Sequence, residues 1–258
     1  RIDMKPRDVD RIWYDGEPVP FWMKALVPLY RALSSTNRYS WTIGLRKPVR
    51  LPVPVVVIGN ITAGGTGKTP LVLALIDALR ARGWNPGVTS RGYGGTAAAA
   101  MVLDSNPDPS VVGDEPCLIR LRSRAPVTIG RHRSAAARLL LDQNVDVILS
   151  DDGLQNPSLA RDIEICVVDG QRRFGNGLLL PAGPLRELTD RLSRVDFVVC
   201  NGGEALAGEI PMMLDGLTAK RVNNRDSTRP LAEFAGGKVH ALAGIGNPQR
   251  FFESLRKH

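Results

Sequence analysis

Val53-Pro-Val-Val-Val-Ile-Gly-Asn-Ile-Thr-Ala-Gly-Gly-Thr-Gly-Lys-Thr-Pro70 decides the fold. Its first half, Val53 to Ile58, is apolar and β-branched without alternation, the pattern of a strand buried on both faces. A glycine-rich turn follows, and then a helix from about Thr69 to Arg82, with Leu71, Leu75, Ala78 and Leu79 at core spacing and Gly83 as its stop. Such a turn curls so that backbone N–H groups converge on phosphate oxygens, while the helix adds the positive end of its dipole. The residues expected to wrap nucleotide phosphates are Thr62, Ala63, Gly64, Gly65, Thr66, Gly67, Lys68 and Thr69. Lys68 is placed to reach the terminal phosphates, and the Thr69 hydroxyl to coordinate Mg2+. The strict pattern wants glycine six positions before the lysine, and Thr62 stands there instead.

Further along, Val145-Asp-Val-Ile-Leu-Ser-Asp-Asp152 is an apolar strand that delivers two adjacent carboxylates at its end. Ligands of parallel α/β sheets sit at the carboxyl ends of the strands, so Asp151 and Asp152 are expected to meet the metal beside Lys68. The competing reading is a pair that caps the turn begun by Gly153. Two polar clusters, Ser90-Arg-Gly-Tyr-Gly94 and Val112-Gly-Asp-Glu-Pro116, carry Arg91 and Tyr93 as contacts for an anionic or sugar substrate and Asp114 as a proton acceptor. Asp114 is equally a candidate helix N-cap ahead of Pro116.

Outward from these motifs the chain alternates strand and helix. Short strands are legible at 87–90, 127–130, 145–150, 163–169, 195–201 and 239–243, with helical patterns at 115–124 and 134–142 and a small-residue loop or hairpin at Ala97 to Ala100. The expected fold is α/β, a doubly wound, mostly parallel sheet of P-loop NTPase type. Residues 51–220 form its core, 202–237 read as irregular linker, and 221–258 carry the start of a second, smaller α/β domain. Residues 1–50 hold ten Lys or Arg against five Asp or Glu. Within them Phe21, Trp22, Ala25, Leu26, Leu29, Tyr30 and Leu33 fall on one helical face, opposite Lys24 and Arg31. That face suits either a membrane interface or packing on the core.

The balance of 34 Lys and Arg against 26 Asp and Glu favours anionic partners. Three cysteines and three histidines, all widely spaced, form no zinc pattern, so no zinc site and no disulfide framework are expected. No run approaches the roughly 18 apolar residues of a membrane-spanning helix, and the N-terminus has no secretory-signal pattern.

Taken in order, Gly59 to Pro70, Ser90-Arg-Gly-Tyr-Gly94, Val112-Gly-Asp-Glu-Pro116, Ser150-Asp-Asp-Gly-Leu-Gln155, Arg161-Asp162, Leu180-Pro-Ala-Gly-Pro-Leu-Arg-Glu187 and Gly244-Ile-Gly-Asn-Pro248 resemble the tetraacyldisaccharide 4′-kinase family of lipid A biosynthesis. Thr62 is what that family leads one to expect. The resemblance implies transfer of the ATP γ-phosphoryl group to the 4′-hydroxyl of a tetraacylated glucosamine disaccharide 1-phosphate, at the cytoplasmic face of a bacterial inner membrane. It implies ATP and Mg2+ as cofactors, a lipid-linked substrate, a monotopic membrane contact through residues 21–33 and no nucleic acid partner. By the same likeness Lys68, Asp114 and Asp152 are catalytic, with Asp114 as the proton acceptor. Thr69, Asp151 and Asp152 serve the metal, and Arg91, Tyr93 and Glu187 touch substrate or nucleotide.

Two departures stand out. Asn156 occupies the place of the family's usual histidine, and the family's second domain, with the histidine thought to partner the catalytic aspartate, continues past residue 258. A chain that stopped there is expected to lack half of its catalytic pair. The rival readings are a P-loop NTPase that acts as a conformational switch and a nucleotide-binding relic without turnover. No Asn-Lys-X-Asp stretch for guanine selection is present.

Overall fold

The computed structural model describes residues 6–214, 216–222, 227–245 and 248–256. Helices α1 (Pro6–Tyr14) and α2 (Phe21–Thr42) lead into β1 (Val55–Gly59) and α3 (Lys68–Arg80). There follow β2 (Pro86–Ser90), β3 (Met101–Val102), α4 (Pro109–Val112), α5 (Asp114–Ser123), β4 (Val127–Ile129), α6 (Arg133–Arg138), β5 (Val147–Asp151), β6 (Ile163–Asp169), β7 (Phe197–Asn201) and β8 (Glu209–Met212). One sheet takes them in the order β3-β4-β2-β5-β1-β6-β7-β8. Strands β4, β2, β5, β1, β6 and β7 run parallel, and β3 is antiparallel at one edge.

The apolar run that opens the motif behaves as expected, with Val55, Val57 and Ile58 at 1% exposure or less. Val55 and Val57 pack with Leu140, Ile148, Cys166, Leu159 and Leu185 in the main core. The central position of β1 is what places the turn after it at the middle of the sheet's carboxyl edge. Register then does the rest: Val57 lies opposite Ser150 and Ile58 opposite Asp151, so the end of β5 arrives beside the start of the turn. Gly59 allows the closest approach. A Cβ there would lie 2.6 Å from Leu154 Cγ, so no larger residue lets the Asp-Asp-Gly-Leu turn sit against the mouth of the loop.

Several expectations are corrected. The helix expected over 134–142 ends at Arg138 and gives way to a 3-10 turn at Leu141–Gln143. The stretch 202–237, read as linker, holds β8, a two-stranded antiparallel sheet of β9 (Thr218–Lys220) with β10 (Thr228–Pro230), and a 3-10 turn at Leu231–Phe234. The strand expected at 239–243 does not form: these residues are irregular and largely exposed, and no strand pairs with them among the described residues, although α7 (Pro248–Leu255) does follow. The described residues cluster into two compact units that meet in sequence between Pro211 and Met212.

Helix α2 runs on past residue 33 and divides its apolar residues between two stripes. Met23, Val27 and Tyr30, spaced four and three apart, turn toward the protein; Met23 packs with Ile12 of α1 and Ala182. Trp22, Leu26, Leu29 and Leu33 form a second stripe, rotated by about 100° as successive helical residues are, and this one is open to solvent. Tyr30 therefore belongs to the packed stripe and not to the exposed one: its hydroxyl donates to the Arg186 carbonyl at 3.0 Å.

Gly59→Ala is expected to cost about 1–3 kcal/mol in urea unfolding, the usual penalty of overpacking. Adding Leu154→Ala should restore part of the loss; no recovery would remove this contact as the cause.

Candidate active site

The turn of residues 60–67 is held from three sides. Ala63 N–H donates to the Pro184 carbonyl at 2.7 Å and Arg186 N–H to the Ile61 carbonyl at 2.7 Å, while Asn201 Nδ2 donates to the Thr66 carbonyl at 2.9 Å. Thr62 pairs in an antiparallel bridge with Leu185. The extended backbone of that bridge, with no positive φ, is why threonine serves where the general pattern asks for glycine. Gly64 (φ 105°) and Gly67 (φ 96°) make the left-handed bends, and Gly67 caps α3. Among the described residues the N–H groups of Gly64 to Gly67 find no backbone acceptor, and the buried Thr66 hydroxyl finds no partner. A curled loop with inward donors left over, at a helix N-terminus, is a cradle for an anion.

Lys68 is buried, and its Nζ lies 3.4 Å from Asp152 Oδ1. The same carboxylate receives Arg186 at 3.1 and 3.2 Å. Asp152 sits at φ 50°, a left-handed conformation that aspartate tolerates better than most residues. Burial alone would raise its pKa, but Lys68 and Arg186 together hold the carboxyl below its usual range.

Asp151 is the contrast. It is 1% exposed, with Oδ2 receiving Ser90 Oγ at 3.4 Å and Oδ1 without a partner among the described residues. Burial first, then the Glu115 and Asp152 carboxylates, push it up to about 6 against the opposition of Lys68 and Arg133. A dry carboxylate with an unpaired oxygen beside another carboxylate and a threonine at the head of α3 fits an oxygen-ligand divalent cation.

Behind the pair lies Arg133, 2% exposed at the start of α6, which donates to the Thr89 carbonyl at 3.0 Å and the Asp152 carbonyl at 3.3 Å. Sequence patterning missed it and Arg186 alike. Arg133 sits in a stretch that gave no chemical pattern, whereas Arg186 lay inside the Leu180–Glu187 motif, of which only Glu187 was singled out.

The two polar clusters are brought together. Thr96 and Ala97 N–H donate to the Ser110 and Val111 carbonyls, at 3.2 and 3.0 Å, so the Ser90–Gly94 turn leans on the segment before α5. Asp114 is not the N-cap; Gly113 is, and Asp114 is the exposed first residue of α5. Tyr93 is 84% exposed, and Arg91 is exposed yet close enough to Arg133 for their charges to interact. Glu187 differs from both: it is buried, receives Gln155 Nε2 at 3.0 Å and faces Arg191 at 3.8 Å. Asn156 closes a local turn by accepting from Ser158 N–H at 3.1 Å and Ser158 Oγ at 2.6 Å.

This loop, lysine and carboxylate pair have close relatives. Residues 19–258 match the family model of the tetraacyldisaccharide-1-P 4′-kinase. The chain belongs to that family. A tetraacyldisaccharide 4′-kinase of Stenotrophomonas maltophilia is 50% identical over 254 residues, covering 95% of this chain and 75% of the relative. One from Shewanella amazonensis is 48% identical over 259 residues, covering 96% of this chain and 74% of its own length. The family's fold is shared as well: the "apo" form of LpxK from Aquifex aeolicus, crystallised with ATP, superposes with a TM-score of 0.76 at 27% identity over 91% of this chain and 78% of that one.

The raised Asp151 makes a testable contribution to stability. Lifting it from 3.8 to about 6 means that the folded state binds its proton more tightly than the unfolded one. The resulting penalty, about 3 kcal/mol at 1.4 kcal/mol per pH unit, is absent below pH about 4 and complete above about 6. Without added metal, Asp151→Asn should therefore be more stable than wild type by on the order of 2–3 kcal/mol near neutral pH, with the gap closing under acid. A gap of constant size at every pH would show that ionisation is not its source.

Proposed function

We propose that this chain transfers the γ-phosphoryl group of ATP to the 4′-hydroxyl of a tetraacyldisaccharide 1-phosphate. One observation carries the reading: a cradle of unspent N–H groups stands over a buried lysine whose carboxylate partner is also gripped by an arginine. Phosphoryl transfer asks mainly for positioning and for neutralised charge. The loop amides hold the β- and γ-phosphates and Lys68 meets the γ-phosphate. Arg186, 3.1 Å from Asp152, supplies a second positive charge at the same place.

Thr69, Asp151 and Asp152 are the residues that would hold magnesium, which when bound neutralises phosphate charge and orients the γ-phosphoryl group. Asp114 takes the proton of the attacking hydroxyl. Its place supports this role: it projects from the first turn of α5, next to Glu115, whose charge is felt at Asp151. Arg91 and Tyr93, on the turn that leans against the same segment, are the proposed contacts for the anionic sugar. Glu187, buried under Gln155, is better suited to supporting the site than to touching substrate.

The acceptor is a lipid, so we place the protein at the cytoplasmic face of the inner membrane. No helix among the described residues is long and apolar enough to cross a bilayer. The exposed stripe of Trp22, Leu26, Leu29 and Leu33 suits instead a helix lying in the interface, with Lys24 and Arg31 available to acidic headgroups.

ATP consumption measured with and without tetraacyldisaccharide 1-phosphate separates the readings. Turnover that depends on the lipid supports the kinase, lipid-independent turnover a switch ATPase, and none a binding relic. Lys68→Ala and Asp114→Ala should each lower transfer by 10² or more with folding intact, within the range of lost electrostatic or general-base groups. A near-normal rate in either variant removes that residue from the mechanism. Trp22→Glu with Leu26→Glu should abolish cosedimentation with vesicles of acidic phospholipid; continued pelleting would overturn the interfacial stripe.

A further inference from the structure

The site rests on a line of side chains whose charges alternate in sign. Arg161 meets Glu164 at 2.8 Å, and Glu164 meets Arg191 at 2.6 Å. Arg191 faces Glu187 at 3.8 Å, and Glu187 receives Gln155 Nε2 at 3.0 Å. Gln155 Oε1 receives Arg186 at 3.4 Å; Arg186 reaches Asp152 at 3.1 Å, and Asp152 meets Lys68 at 3.4 Å. The far end, Arg161 and Glu164, lines a cleft with Pro48, Leu159, Asp162 and Asp196. From Arg161 to Glu187 the side chains are 7–18% exposed, so their charges are little screened.

Gln155 is the joint that matters. Its amide can offer either an oxygen or an NH2 group to Arg186, and only the oxygen suits a guanidinium, which has donors alone. What fixes the choice is the pair of acceptors on its other side, Glu187 Oε1 and the Asn60 carbonyl, the latter at 2.8 Å, both of which demand the NH2 group. Glu187 can remain a buried anion there because Arg191 faces it, and Arg191 is in turn held by Glu164. With that counter-charge withdrawn, the buried Glu187 carboxylate would turn away, and the amide would lose its reason to point one way.

We propose that Arg191 and Glu164 are positioning residues for phosphoryl transfer, acting through Glu187 and Gln155 on the orientation of Arg186. This rests on the kinase reading. The phosphate loop has supports that do not pass through Arg191, from the Pro184 carbonyl, the Arg186 main-chain N–H and the Asn201 side chain, so the line of charges governs the arginine's side chain and leaves nucleotide binding nearly unchanged.

Arg191→Lys keeps a positive charge, but a single ammonium held by Glu164 can no longer also face Glu187, so the counter-charge is withdrawn from Glu187. With lipid acceptor present, it should lower kcat about tenfold while KM for ATP stays within about twofold and the thermal midpoint stays near wild type. In a Glu187→Gln background, the same substitution should cost nothing further, because the charge through which it acts is gone. A wild-type kcat in folded Arg191→Lys, or a loss that multiplies with that of Glu187→Gln, would overturn the proposal. Should Arg191→Lys not fold, Glu164→Gln, which leaves Arg191 in place, carries the same two tests. Absence of lipid-dependent turnover in the unsubstituted protein would instead sink the kinase reading, and this inference with it.

Discussion

A single carboxylate, that of Asp152, organises the geometry of the candidate site. It stands at the end of a buried strand, in a left-handed conformation, between a lysine from one segment and an arginine from another. Neither cation can be buried cheaply without a partner, and the carboxylate is that partner for both. The three groups thus hold one another where a polyphosphate would otherwise be needed to satisfy them. Asp151, one residue earlier, is buried without such an ion pair among the described residues and so carries a raised affinity for protons.

That arrangement depends on the sheet. Parallel pairing of β1 with β5 brings Ile58 level with Asp151, and the close approach at Gly59 lets the following turn fold onto the loop. The segment 184–187 completes the enclosure from the other side, giving a carbonyl to Ala63, an amide to Ile61 and a side chain to Asp152. Three stretches far apart in the chain are therefore fastened to one another mainly through backbone groups. Residue identity matters at few of these contacts, and position matters at all of them.

What could be read in advance follows from this division. The β-branched run, the glycine turn and the paired aspartates declare themselves because local chemistry allows few other residues there. The sheet was legible from alternation, and Ile163–Asp169 was placed with both ends correct. Arg133 and Arg186 were not legible as site residues, because an isolated arginine has no spacing to betray it and only tertiary packing turns it inward. The edge strand β8 and the hairpin of β9 and β10 are short and mostly exposed, so their residues lack the apolar signature of the central strands. Conversely, the run at 239–243 has apolar content without a neighbour to pair with among the described residues, and hydrogen bonding outweighs composition.

The hydroxyl of Tyr30 ends on the main chain of Arg186. A helix whose outer stripe suits a lipid boundary is thereby pinned, through its inner stripe, to the very residue whose side chain reaches the reactive carboxylate. On the interfacial reading, the height of the transfer centre above the headgroups is not adjustable by a hinge or a swinging loop. It is built in, and an acceptor hydroxyl carried on a lipid must rise to meet a catalyst that stays level.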